Sequence, residues 1–400
     1  MIGTGVSYRN ITTDEQLRLY CKELADCKSI AFDTEFVAEH TYRPVLCLLQ
    51  VAGDGELALI DALKIGDLTP FWQVVSASGH ETIVHAGRGE IEFCYYAVGR
   101  APEKLVDVQI AAGLAGFEYP AGYSKLISKL LGQAKQKHET RTDWQRRPLS
   151  KRQIDYAMDD VIHLKSLRDK LLLKLESMGR IEWFWDEMNS WGEDVRHYLT
   201  SERWRRVSGN SGLNRRGLAI ARELWRWREA EAERLDRPPR RILRDDLIVE
   251  LAKRRSADPK RICAVRGLDR GELRKSVPQI AERIQRATEL PDDECPRVAV
   301  HKKVSQMSVL GQFLFSALGS VCREMDLSPG LVGTPGDVRE LIVYRNDPDH
   351  RKHHRLPKLA TGWRAEVVGK LFDELLSGKK AAKIVDPESD HPLAFESTGH

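Results

Sequence analysis

Four hundred residues, 42% hydrophobic and 30% charged, predict two or three domains with real cores and exclude a disordered, collagen-like or coiled-coil chain. The longest apolar runs, residues 45–52 and 314–321, fall short of the roughly 18 residues of a membrane span. The N-terminus has no basic stretch followed by an apolar one, and the seven cysteines contain no Cys-x-x-Cys pair, which argues against a disulfide framework or a structural zinc site. The expectation is a reduced, cytoplasmic protein with no membrane segment. Its net charge of +4 is unevenly placed: residues 203–275 hold 22 Lys and Arg against 11 Asp and Glu, a local +11 that leaves −7 elsewhere. Such asymmetry fits a module that meets a polyanion, and equally a solvated basic surface.

Strand and helix signals alternate through the first 175 residues, which predicts an α/β layer architecture. A helix over 13–25 has Thr13 or Asp14 as its N-cap. SIAFDTEF (29–36) reads as a strand, and the turn signal GDG between LCLLQVA (46–52) and ELALID (56–61) predicts a hairpin. TIVHAG (82–87) reads as another strand, followed by helices over 90–99 and 151–179. Beyond residue 200 the strand signals largely stop. Helical spacing runs over 215–236, with Leu218, Ala221, Leu224, Trp225 and Arg228 on one stripe, and Pro238-Pro239 breaks it. Further helices are predicted over 242–254, after Asp258-Pro259, and over 278–287, 305–327 and 361–377; residues 289–297 read as a linker and those from about Asp386 as a disordered tail.

Carboxylates stand out at two places. Asp33 and Glu35 are two apart on a strand, so both leave one face while Phe32 and Phe36 are expected on the opposite, packed face. Two carboxylates on one face repel, and hard divalent cations relieve that; a solvated strand edge gives the same pattern. Tyr156 and Asp160 are four apart on a helix, beside the stripe Ile154, Ala157, Val161, Leu164 and Leu167. Alone, that pair reads as a helix-to-sheet hydrogen bond.

Taken together and in order, SIAFDTEF (29–36), VHAGRGEIEF (84–93), DVQIAA (107–112), RTDWQRRPLS (141–150) and QIDYAMDDVIHL (153–164) resemble the ribonuclease D group of DEDD-type 3′-to-5′ exonucleases, in the subtype with Tyr in the third motif. The resemblance implies an RNase H-like α/β domain, a mixed sheet flanked by helices. It also implies phosphodiester hydrolysis by two divalent ions, Mg²⁺ or Mn²⁺, about 4 Å apart. Asp33 would bridge the ions, Glu35 and Asp160 would complete the site that activates water, and Tyr156 would orient that water. One position departs from the pattern, because Glu90 stands where the family carries its second Asp. A Glu still reaches a metal if the helix start lies slightly farther back; it also leaves open a loosely held second ion, or a plain helix-start Glu favoured by the helix dipole. His85, Gln50, Asp107 and Trp144 read as structural, whereas Arg141 and Arg146 are candidate phosphate contacts within 141–147.

The basic stretch 228–267, above all its Asp-x-Pro-Pro turn, resembles the HRDC domain, and residues 305–378 resemble a second, more divergent copy. The implied division is an exonuclease domain at 1–200, all-α HRDC-type domains at 208–290 and 300–382, and a tail at 386–400. Arg240, Arg241, Lys253 and Arg254 are the candidate nucleic-acid contacts there. Trp204, Trp225 and Trp227 are either stacking platforms or core, with Trp225 favoured as core. His350, His353 and His354 read as a cationic surface segment. The function implied is trimming of single-stranded RNA 3′ ends, such as those of tRNA precursors, to nucleoside 5′-monophosphates by a monomer. An RNA-binding protein weakened by Glu90, and a DNA 3′-to-5′ exonuclease, remain open.

Overall fold

A computed structural model describes residues 7–133, 142–269, 271–298, 304–346, 356–390 and 392–398. Arg141 and the three histidines at 350, 353 and 354 lie outside them. Two compact units are distinguished, one holding Met1–Glu35, Cys47–Leu199 and Lys303–His400, the other Phe36–Leu46 and Thr200–Lys302.

The first unit is built on a six-stranded sheet. Its strands are β1 (Arg9–Ile11), β2 (Ser29–Val37), β3 (Val45–Gly53), β4 (Glu56–Ile60), β5 (Glu81–Val84) and β6 (Leu105–Asp107), in the order β1-β4-β3-β2-β5-β6. β3 and β4 pair antiparallel, whereas β1 with β4, β2 with β5 and β5 with β6 pair parallel, so the sheet is mixed. The expected hairpin forms with Gly53 opposite Glu56. Its two loop residues, Asp54 and Gly55, both have positive φ (40° and 96°), as a type I′ turn requires. One side of the sheet is closed by an aromatic cluster: Phe32, Phe71 and Trp72 lie edge-to-face with centroids 5.1–6.0 Å apart. Phe36, expected on that packed face, is exposed instead. It lies near the strand end, where this unit gives way to Phe36–Leu46 of the other.

The helix after Ser150 starts with a reciprocal cap, Ser150 Oγ accepting the Gln153 amide (3.2 Å) and Gln153 Oε1 the Ser150 amide (2.9 Å). It is not continuous to 179. Lys151–Asp159 is followed by a break at 160–163 and a second helix, Leu164–Ser177. The amides of Asp160, Val161 and Leu164 bond three residues back rather than four, next to the β-branched pair Val161-Ile162, which lowers helix propensity. Asp160 thereby caps the first helix instead of lying inside a long one.

Residues after 303 add helices Val304–Glu324 and Pro335–Asn346. They end in a hairpin of β7 (Lys380–Ile384) and β8 (Leu393–Ser397). The tail expected to be disordered therefore contains a paired strand, formed by the alternating Leu-Ala-Phe-Glu-Ser stretch. The second unit is helical, with long helices Arg215–Arg234, Asp245–Arg254 and Val277–Glu289 around a core that includes Leu224, Ile248 and Ile280. Trp204 and Trp227 are buried in it, while Trp225 is only half-buried, the reverse of the expected order. Phe36–Leu46 joins this unit through the Tyr42 amide to Asp236 (3.0 Å) and Arg43 to Glu233 (2.8 Å). Among the described residues no helix is long and apolar enough to cross a membrane.

Candidate active site

The strand, the helix break and the turn before a third helix bring the acidic motifs together. Asp33 and Glu35 on β2 and Asp160 after Lys151–Asp159 each offer a carboxylate oxygen, all within 4.8 Å of one another. Glu90 is not one of these three. It sits in the first turn of the helix Arg88–Val98, buried, where its Oε1 accepts a hydrogen bond from the Thr34 hydroxyl at 2.5 Å. Its charge is nevertheless the strongest of the carboxylate charges acting on Asp33.

The turn that places Glu90 is built from the sheet. Asp107, buried at the end of β6, accepts the amides of Ala86 (3.1 Å), Gly87 (3.0 Å) and Gln109 (2.8 Å). It thus fixes the turn before Glu90 and caps the helix Val108–Leu114. A Cβ at residue 87 would fall 2.4 Å from Val84 Cγ2, so only glycine lets the chain pass so close to β5. Ala86 takes a left-handed φ of 54° just before it.

Like charge and burial dominate the electrostatics. Burial first, then Glu90, Asp160 and Glu35, push the Asp33 carboxyl well above the usual carboxylate range. Burial, Asp160 and Glu90 push Glu35 up to about 8. Burial lifts Glu90 to about 7 against the opposing Thr34 hydrogen bond. The Tyr156 hydroxyl is raised by burial and by Asp160, Glu35 and Asp33, and it hydrogen-bonds Asp160. The groups whose charges act on Asp33 and Glu35 are all carboxylates, so the cluster asks for cations from solution. An all-oxygen donor set of this kind fits hard divalent ions such as Mg²⁺ and Mn²⁺.

Of the residues read as structural, His85 and Trp144, like Asp107, take that part. His85 Nε2 lies 2.9 Å from the Ala121 carbonyl, and Trp144 is buried with its ring 6.1 Å from that of Tyr156. Arg147 is committed to the fold: it grips Asp61 with Nε (2.8 Å) and Nη2 (2.7 Å) and donates to the Cys47 carbonyl (2.9 Å). Arg146, Arg240, Arg241, Lys253 and Arg254 are all exposed. Arg254 is paired with Glu250 (2.8 Å) and Arg240 lies 3.7 Å from Asp245, whereas Arg241 and Lys253 carry no ion pair among the described residues. The sequence reading missed Thr34, whose partner is 56 positions away and leaves no local signal.

A family model described as 3′-5′ exonuclease matches residues 8–176, and the HRDC domain model matches 217–284. Ribonuclease D of Gluconacetobacter diazotrophicus is 36% identical, with 92% of each chain covered. Ribonuclease D of Granulibacter bethesdensis is 34% identical over 90% of each. Among solved structures, Escherichia coli RNase D, described as an exoribonuclease involved in structured RNA processing, superposes with a TM-score of 0.82. It is 26% identical, over 93% of this chain and 99% of that one.

Proposed function

This chain belongs to the ribonuclease D family and is a metal-dependent 3′-to-5′ exoribonuclease; from that premise we propose that it trims single-stranded 3′ ends of structured RNA, tRNA precursors among them, in the cytoplasm and as a monomer. The observation that carries the reading is the meeting of Asp33, Glu35 and Asp160 oxygens within 4.8 Å, with the Glu90 charge acting on Asp33.

Asp33, Glu35, Glu90 and Asp160 would hold two divalent ions. When bound, such ions supply hydroxide near neutral pH and cover for the charge that grows on the phosphate and the leaving 3′ oxygen. Carboxylates pushed upward by their neighbours ionise fully only when countercharge arrives, so cation binding releases protons and strengthens with pH. Tyr156, held protonated by burial and the surrounding carboxylates, serves as a neutral hydroxyl that orients the attacking water rather than as a base. In-line attack releases a nucleoside 5′-monophosphate and leaves a chain one residue shorter.

Arg146, Arg240, Arg241 and Lys253 neutralise backbone phosphates without reading sequence. Arg254, already paired, contributes less. In domain terms, residues 208–290 serve as the HRDC domain and 300–382 as a second HRDC-like module.

The test is release of nucleoside 5′-monophosphates from a 3′-tailed RNA hairpin, run beside its DNA counterpart, in Mg²⁺, in Mn²⁺ and in chelator. Metal-dependent stepwise shortening of the RNA tail supports the reading; tight RNA binding without shortening in either metal overturns it.

A further inference from the structure

A Glu in place of the usual Asp lengthens the carboxylate by one methylene, and a longer arm needs something to aim it. The structure supplies a side-chain contact for it. Thr34, buried and lying between Asp33 and Glu35 in the sequence of β2, donates its hydroxyl to Glu90 Oε1 at 2.5 Å. An O–H···O⁻ bond this short is of the charge-assisted kind. Backbone hydrogen bonds of Thr34 and of Glu90 itself also act on this carboxylate. The same residue thus sits between the two carboxylates of one motif and grips the carboxylate of the other, while Asp107 fixes the turn from which Glu90 springs.

We propose that Thr34 is a positioning residue for metal binding: its hydroxyl holds one oxygen of Glu90 and so turns the other toward the ion, fitting the longer side chain to the site. The inference rests on the reading of Glu90 as a metal ligand. Partners of this kind, one bond removed from the metal, typically change metal affinity about 10–100-fold when lost. The contact also depends on reach. An Asp at residue 90 ends one methylene short, so the dependence on Thr34 belongs to the Glu.

The experiment is a Mn²⁺ titration of the full chain by calorimetry and electron paramagnetic resonance, with folding of every variant checked by circular dichroism. Thr34→Val is expected to weaken one of the Mn²⁺ sites by roughly tenfold or more. Thr34→Ser, which keeps the hydroxyl, is expected to bind like the natural chain. In a Glu90→Asp background, Thr34→Val is expected to change Mn²⁺ affinity little. Unaltered Mn²⁺ binding in Thr34→Val, equal loss in Thr34→Ser, or equal loss in the Glu90→Asp background each overturns the proposal. Glu90→Gln separates the two claims: if it binds Mn²⁺ like the natural chain, the reading of Glu90 as a ligand fails; if it loses a site while Thr34→Val does not, only the role of Thr34 fails.

Discussion

Within the first unit lie two buried acidic regions with opposite electrostatics. Glu187, on the helix Ile181–Thr200, is buried like Glu90, yet burial's upward push on it is overcome by Arg364 and Trp363, and its carboxyl lies below the usual range. Arg364 reaches both Glu187 oxygens, the Nη2 bond measuring 2.8 Å, and Trp363 Nε1 donates at 2.9 Å. The charges acting on Asp33 and Glu35 are carboxylates instead, and the carboxyls of Asp33, Glu35 and Glu90 are lifted. A buried acid given its countercharge by the protein is part of the fold. A buried acidic cluster left without one is a site that waits for cations.

The contrast breaks most sharply at Asp33. Asp33→Asn is expected to lower the rate of mononucleotide release at least ~10³-fold, since it removes several kcal/mol of transition-state stabilisation, while its melting temperature in chelator rises relative to the natural chain as pH increases, because the raised Asp33 carboxyl must ionise there and the Asn does not. Arg364→Met is expected to do the opposite: to cost about 3–5 kcal/mol in urea unfolding by stranding the Glu187 charge. Adding Glu187→Gln in the same chain should recover much of that loss. Tyr156→Phe keeps the ring beside Trp144 and removes the hydroxyl. Its kcat on a short RNA tail is expected to fall roughly 10²-fold with KM little changed. Smaller still are the surface charges. Lys253→Ala is expected to weaken RNA binding across sequences and to reduce the salt slope by about 1, read by titration at several salt concentrations. Arg254→Ala, losing an exposed pair with Glu250, should change stability by about 0.5 kcal/mol or less.

How much of this was legible in the sequence varies with the range of the interaction. The DTEF strand, the GDG hairpin and the start of the helix at Ser150 all rest on signals within a few residues, and all formed as expected. So did the convergence of Asp33 and Glu35 with Asp160, because the order of motifs carries the family's topology. Contacts between distant residues were not legible: Thr34 to Glu90, Arg147 to Asp61, and the pairing of β8 with β7. The break at 160–163 was masked by an apolar stripe that continues through it. Phe36 was misjudged because strand alternation specifies the side on which a residue stands, not whether anything covers that side near the strand's end.

The central claim, that these carboxylates are held together against their own repulsion until cations arrive, has a direct thermodynamic signature. Carboxyls whose folded pKa is raised take up protons on folding, so their contribution to stability falls as pH rises from the ordinary carboxylate range to about 8, the value reached by Glu35. The measurement is thermal unfolding of the natural chain and Glu35→Gln in chelator between pH 5 and 8, repeated with Mn²⁺. Glu35→Gln is expected to become the more stable of the two as pH rises, and Mn²⁺ to stabilise the natural chain more and reverse the ranking. Parallel curves in chelator, with no response to Mn²⁺, would contradict it.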